Sequence, residues 1–410
     1  MRWRWALLLP AILILLCPHG IARAQDEVPT RPQGVVEAFR QGTPHLGFRY
    51  RYEHVDEDGI ELAAHASTLR TVLSFRTAPL RGFELFIEAE NVVELGNDEY
   101  RDGGRPPRGN GVVDRPLVAD PAGTDINQVL LRYRGLHSDV RLGRQEINIA
   151  DERFVGAVGW RQHHQTFNAI NVSTEAIDRF NLQYVFSPDV YRVFGDKLDT
   201  RNHFLHAVAD AGPVGTVRAY AILLEYTQPQ FAGSSTDSLG FEVTGMVALG
   251  DELNAFYEFE YARQWDAADN PENIDADYFH LMGGGRLRGL TARAGWEVLG
   301  GSREQGRFNT PLATLHKFNG WADKFLVTPP DGLRDLYLQL GGTVLGLGWA
   351  AVLHDFGADS FALSYGTELD GQLTYRAGWN QLFALKAAFY DAEGFSTDTL
   401  KIWGWTEYTF

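Results

Sequence analysis

The chain has 410 residues, with 37 Lys and Arg against 53 Asp and Glu, 43 Gly and a formal charge of -16. So acidic a chain argues against a nucleic-acid-binding protein. The one cysteine, Cys17, sits in the N-terminal segment, and no stretch approaches eighteen consecutive apolar residues. Disulfides and cysteine chemistry in the mature chain are thereby excluded, as is a helical membrane bundle.

The N-terminus carries Arg2 and Arg4, then an apolar run from Ala6 to Leu16 broken by Pro10, then Ala22-Arg23-Ala24 as a small-x-small cleavage site. This pattern predicts a secretory signal peptide over 1–24, with a single N-terminal membrane helix as the competing reading. Removing Arg2, Arg4 and Arg23 takes the formal charge from -16 to about -19. Residues 25–43 read as a periplasmic tail.

From there the sequence alternates with a period of two, the signature of a strand with two different faces. Phe48, Tyr50 and Tyr52 oppose Arg49, Arg51 and Glu53. Leu69, Thr71, Leu73 and Phe75 oppose Arg70, Val72, Ser74 and Arg76, and Phe83, Leu85, Ile87 and Ala89 oppose Glu84, Phe86, Glu88 and Glu90. Segments of about nine to twelve residues suit a tilted membrane-crossing strand. Between 94 and 124 the pattern lapses into a stretch rich in Asp, Gly, Arg and Pro, predicted as a long loop. Its GRPPRGNG run, 104–111, lacks the Lys-Ser/Thr ending of a phosphate-binding loop.

Val129, Leu131 and Tyr133, then Val140 and Leu142, continue the alternation. RLGRQEIN, 141–148, concentrates Arg141, Arg144, Gln145, Glu146 and Asn148. A dry core could not hold so many charged groups cheaply, whereas a hydrated lumen could. Further strands are predicted at Phe180–Phe186, His203–Ala209, Thr216–Tyr226, Ser238–Leu249, Glu252–Arg263, Asp277–Arg288 and Leu290–Leu299. A second long loop, 300–332, follows. After it come Asp335–Thr343, Gly346–Asp355, Ser360–Leu369, Gln372–Trp379, Phe383–Tyr390 and Leu400–Phe410. In the last, Ile402, Gly404, Thr406, Tyr408 and Phe410 share one parity. Such an aromatic-ended strand is the kind of signal that barrel assembly machinery reads, and Trp403, Trp405 and Tyr408 are expected in an interfacial aromatic girdle. The expected fold is all-β: a transmembrane antiparallel up-and-down β-barrel over 44–410, of eighteen strands with sixteen as the alternative, in the cell outer membrane.

LRYRG (131–135), RLGRQEIN (141–148), RFVGAVGWRQHHQTFNA (153–169) and HKFNGWADKFLVTPPDGLRDLYL (316–338) carry a resemblance to the alginate export family of bacterial outer-membrane porins. The resemblance implies a monomeric eighteen-stranded barrel, an Arg-rich lumen for a polyuronate, contact with lipid and lipopolysaccharide, and periplasmic export partners. Strand parity nominates Arg49, Arg51, Arg70, Arg76, Arg132, Arg134, Arg141 and Arg179 as lumen-facing. The family likeness adds Arg144, Arg153 and Arg161 near a constriction, with Lys317 and Lys324 from the second loop. Glu146, Asp151 and Glu152 are expected to hold Arg144, Arg153 and Arg161 in place. Arg suits an acidic sugar because its planar fork pairs bidentately with a carboxylate.

Each of these arginines could equally be a salt-bridged part of the wall. The preferred function is a passive channel for an anionic polysaccharide or oligosaccharide such as alginate, with a general small-solute porin and a barrel with an adhesive or enzymatic role as the alternatives. No catalytic motif, cofactor or metal site is expected, and the chain reads as no enzyme. His163 and His164, if adjacent on a strand, would face opposite ways and make poor joint ligands. The acidic stretch 266–277 lacks the oxygen spacing of an EF-hand.

Overall fold

Alternation of apolar and polar side chains becomes strand pairing almost throughout the chain. The computed structural model describes residues 31–105 and 108–410, so the signal peptide expected over 1–24 lies outside the described residues. A short helix, α1 (Val35–Arg40), precedes the first strand, and its Phe39 ring stacks on Phe75 at 6.0 Å. Then come β1 (Thr43–Glu57), β2 (Ala64–Arg76), β3 (Phe83–Glu99), β4 (Gly123–Gly135), β5 (Ser138–Gln145), β6 (Thr166–Ile177), β7 (Phe180–Tyr191), β8 (Lys197–Asp210) and β9 (Thr216–Leu224). β10 (Thr236–Ala248), β11 (Leu253–Asp266), β12 (Asp275–Leu287) and β13 (Leu290–Leu299) continue the wall. β14 (Gly301–Ser302) and β15 (Gly306–Arg307) form a separate small ribbon. β16 (Leu333–Val344), β17 (Leu347–Gly357), β18 (Ser364–Ala377), β19 (Gln381–Ala392) and β20 (Thr399–Thr409) complete it.

Each wall strand pairs antiparallel with its neighbours in sequence, β13 pairs with β16, and β20 pairs with β1 to close an 18-stranded barrel. Eighteen, rather than sixteen, is the strand count. Closure leaves no open edge, so every wall strand has partners on both sides in a solvent that offers none. The side chains are distributed inside out relative to a water-soluble protein. Leu73, Leu85, Ile87, Leu131, Leu142, Leu338, Leu353 and Leu385 are exposed on the outer face, while Arg51, Glu53, Glu84, Glu90, Glu297, Asp335, Lys386 and Lys401 are buried inside. An apolar exterior of this extent is stable in lipid and not in water. Short turns such as 136–137, 288–289 and 345–346 lie at one end, and the long connections 100–122, 146–165 and 300–332 at the other. In outer-membrane barrels these are the periplasmic and extracellular ends respectively.

Several expected elements are corrected. The alternation read as lapsing after Val93 continues through Glu99, because β3 is 17 residues long and runs past the apolar band. β6 went unrecognised: its register shifts between Asn168 and Ile170, and the bulge breaks the parity that marks a strand. The segments expected at Ser360–Leu369 and Gln372–Trp379 are one strand, β18, with Asp370-Gly371 in its interior rather than in a turn. Trp403 and Trp405 are not in an outer girdle. Trp403 is 0% exposed, and both rings pack edge-on against Trp160 inside the barrel, at 5.8 and 5.4 Å. Tyr408 lies an odd number of residues from each, so the three could not all face lipid.

Candidate functional site

Two of the long loops fold into the lumen and pack on one another. Val155 and Leu312 form a parallel bridge between loop 146–165 and loop 300–332, and the Leu312 carbonyl accepts from the Gly156 amide (2.9 Å) and Gln165 Nε2 (3.1 Å). The first loop crosses the barrel. Its Phe154 meets Tyr220 and Tyr278 of β9 and β12 at 5.2 Å each, while Trp160 reaches β20 on another side. Buried apolar groups on both loops, among them Ile147, Ile149, Val155, Phe308, Leu312 and Phe325, make a core inside the barrel. Burial of this kind holds the loops in place in the same way as it holds a soluble domain.

The nominated cations fall into three groups. Arg51, Arg153 and Arg161 are buried struts between wall and loops. Arg51 of β1 pairs with Asp120 and donates to the Trp160 carbonyl. Arg153 bonds Glu297 of β13 (2.6 Å), Thr310 (3.4 Å) and Asn319 (3.1 Å), and Arg161 bonds Glu53 (3.4 Å) and Asp323 (3.1 Å). Burial opposes ionisation of Asp120, but Arg51 and Arg161 overcome it and hold that carboxyl below its usual range. Lys324 belongs here too, 7% exposed and 2.8 Å from Glu57.

A second group faces open space. Arg49 donates to Gln162 Oε1 (2.9 Å) and the Gly159 carbonyl (3.1 Å), and Arg70 to Glu90 (2.9 Å). Both line a cavity of about 410 Å³ with His45, Glu88, Glu146 and His164, next to the last strand residues of the turn end. Nearer that end, Arg132 and Arg141 share Asp139, and Arg76 and Arg134 share Glu84. Lys317 lines a second cavity, of about 330 Å³, with Asp151, Glu258, Glu297 and Asp335. Arg144 differs from the rest: it lies 3.8 Å from the Tyr191 ring, with Nε on Thr166 Oγ1 at 2.9 Å.

Arg179 is the third case and a correction. It occupies the turn between β6 and β7 at φ 61°, exposed and paired with Asp210, because the chain reverses there and strand parity does not apply. The supporting acids also differ from expectation. Glu146 accepts from His164 (2.7 Å), Asp151 from the amide of Arg153 (3.0 Å), and Glu152 from Lys317 (3.1 Å) and Thr314 (2.5 Å). Burial lifts the Asp151 carboxyl, and at Glu146 the His164 hydrogen bond outweighs burial and lowers it. The arginines are held instead by Glu53, Glu84, Glu90, Asp120, Asp139, Glu297 and Asp323, and Asp120, Glu297 and Asp323 are distant in sequence from the arginines they pair with. His163 and His164 sit on the infolded loop rather than a strand, on Glu90 and Glu146 respectively.

A cluster missed from sequence anchors the second loop. His316 stacks on Trp160 at 4.3 Å, its Nδ1 lies 2.7 Å from Asp323, and its Nε2 lies 2.8 Å from Lys386 Nζ. An ammonium only donates, so Nε2 accepts and the proton sits on Nδ1, which donates to Asp323. The imidazole is neutral, and burial together with Lys386 pushes its pKa down to about 3. Lys401 and Arg161 complete the shell of Asp323. Only the HKFNGWADKF segment flagged this cluster.

This geometry can be set against known proteins. A family model described as alginate export matches residues 44–298, more than half of the chain. The chain belongs to the alginate export family. No curated protein sequence matches it. Among solved structures, this member of the alginate export family is similar to OccAB2 of Acinetobacter baumannii, at 16% identity and a TM-score of 0.71, covering 91% of this chain and 99% of that one. OpdK of Pseudomonas aeruginosa with vanillate gives 14% identity and the same score and coverage. OccK9 of Pseudomonas aeruginosa gives 12% and 0.70, with the same coverage. At these identities the likeness is one of fold: an outer-membrane channel barrel.

Proposed function

We propose that this alginate export family member is a passive outer-membrane channel for small hydrophilic solutes. One observation carries the reading: ten of the eleven nominated arginines already have a carboxylate within 4.0 Å, Arg144 being the exception. A paired guanidinium attracts an anion far less than a free one, so the lumen is a mixed-charge passage rather than a track for a polyanion. The packed loops agree with this, since cavities of about 330 and 410 Å³ beside them suit a small solute and not a chain. Arg49, Arg70 and Lys317, which face those cavities, are the groups proposed to touch the solute. The barrel is placed in the membrane by assembly machinery that recognises its strands.

A second reading, export of an acidic polysaccharide, is favoured by the family match over 44–298. It requires loops 146–165 and 300–332 to leave the lumen together. Liposomes containing the purified barrel decide between the two. The first reading expects glucose and glucuronate to enter and a polyuronate chain to be excluded. Passage of the polyuronate through the unaltered barrel would overturn it.

A further inference from the structure

We propose that the described residues of the extracellular loop, 100–105 and 108–122, build a binding pocket for a small amphipathic carboxylate, distinct from the two luminal cavities described above. The GRPPRGNG run is no phosphate-binding loop, yet its Arg105 and Arg108 help to line a cavity. That cavity, of about 550 Å³, is lined by Arg101, Arg105 and Arg108 together with Val112, Leu117 and Phe194. It combines cations with an apolar floor, which is the chemistry that recognises an anion carrying a hydrocarbon body.

The loop is built rather than loose. Tyr100 and Val118 are 0% exposed and pack with Val55, Ala64 and Ala66. The Tyr100 hydroxyl donates to the Asp120 carbonyl at 3.1 Å, and the Arg105 amide donates to the Phe194 carbonyl at 3.1 Å, tying two extracellular loops together. Asp102 is used up as a staple, its two oxygens accepting the amides of Gly104 (2.9 Å) and Asn110 (2.8 Å).

The charges within the pocket are unequal. In this loop the ion pairs run from Arg108 to Asp125 (2.6 Å) and from Arg115 to Glu99 (3.9 Å). Among the described residues, Arg101 and Arg105 are exposed and have none. Arg108 is held by its stem. A Cβ at Gly195 would lie 2.5 Å from its Cδ, and one at Gly123 would lie 2.8 Å from its Nε, so the side chain lies close over both glycines. Gly195 also has φ 83°, where a side chain is strained. So fixed, Arg108 keeps Nη1 buried without a hydrogen-bond partner. Such a donor gains on meeting an acceptor what it otherwise loses by burial. In a chain of formal charge -16, three arginines round an apolar floor single out this mouth as the place where an anion is held.

The pocket stands whichever solute crosses the lumen, so its test is separable from the permeation assay. Binding of benzoate, benzyl alcohol and inorganic phosphate to the full-length barrel in detergent is measured by calorimetry. Benzoate is expected to bind, with both other probes at least tenfold weaker. Arg101→Gln/Arg105→Gln should weaken benzoate at least tenfold and leave glucose uptake by liposomes unchanged, while Arg49→Gln/Arg70→Gln in the lumen should leave benzoate binding intact. No benzoate binding, equal binding of phosphate or benzyl alcohol, or loss of binding only in the luminal variant would each overturn the proposal.

Discussion

Replacing Arg153 by Met keeps an unbranched stem but removes the charged guanidinium that joins loop 146–165 to β13. Arg153 and Glu297 are 1% and 4% exposed, and Glu297 also accepts from Tyr278 (2.8 Å) and Asn319 (2.6 Å). Removing one partner of a buried pair leaves the other uncompensated, at a cost of ~3–5 kcal/mol. With tenfold per ~1.4 kcal/mol, the preference for the docked loops falls by roughly two to three and a half decades. Single-channel recording in planar bilayers should then show larger or more frequent openings. Arg153→Met/Glu297→Gln, which removes the stranded carboxylate, should return most of the quiet behaviour. Arg179→Met, which breaks a fully exposed, solvent-screened pair with Asp210, should change nothing. The reasoning fails if Arg153→Met conducts like the unaltered barrel, or if the double variant opens as often as the single one.

Other outcomes test other parts of the site. Arg49→Gln/Arg70→Gln should shift the reversal potential in a salt gradient toward cations, because Glu88, Glu146 and Glu407 then dominate the 410 Å³ cavity; an unmoved potential would place the selectivity elsewhere. Trp160→Ala removes the stacking on His316 and the edge contacts with Trp403 and Trp405, a loss short of the ~3–5 kcal/mol of a fully buried ring because this one is half-buried. Hydrogen exchange in 146–165 should quicken in that variant, and unchanged protection would count against Trp160 as an anchor. His316, pushed down to about 3 from 6.5, stays unprotonated in the folded barrel while the unfolded chain takes up its proton. Its contribution is therefore complete above pH ~6.5 and is lost as pH falls toward about 3, by up to ~1.4 kcal/mol per pH unit. Thermal unfolding between pH 7 and 5 should be steeper for the unaltered barrel than for His316→Gln, and equal slopes would refute the assignment.

The wall was legible in the sequence because lipid and lumen impose opposite demands on successive residues. Leu85 and Ile87 against Glu84 and Glu88 leave no other strand reading. Eighteen strands are what the family resemblance implies, whereas the segments read from alternation reach that number only through two errors that offset each other: β6 is hidden by its bulge at Asn168, and β18 is divided at Asp370-Gly371. An inward aspartate beside a glycine looks like a turn when the lumen behind it is unknown. What the infolded loops do was much less legible. Arg153 with Glu297 and Arg161 with Glu53 join residues more than a hundred positions apart, and periodicity carries no information about such pairs. Parity placed Arg49, Arg51 and Arg70 inside but could not say that each would meet an acid there. It also failed at Arg179, where the chain turns, and the girdle assigned to Trp403, Trp405 and Tyr408 ignored the parity that was already visible.

The crossing loop has one further consequence, for assembly. All hairpins of the wall form between neighbours in sequence, and only the β1–β20 junction joins residues from opposite ends of the described chain. Loop 146–165 touches both sides of that junction, through Arg49 and Arg51 on β1 and through Trp403 and Trp405 on β20. It therefore acts as an internal splint across the seam. Before the seam zips up, half of the splint's footing is missing, so the loop can seat fully only in a finished cylinder. Once seated, it resists the one parting of strands that would let the cylinder unroll.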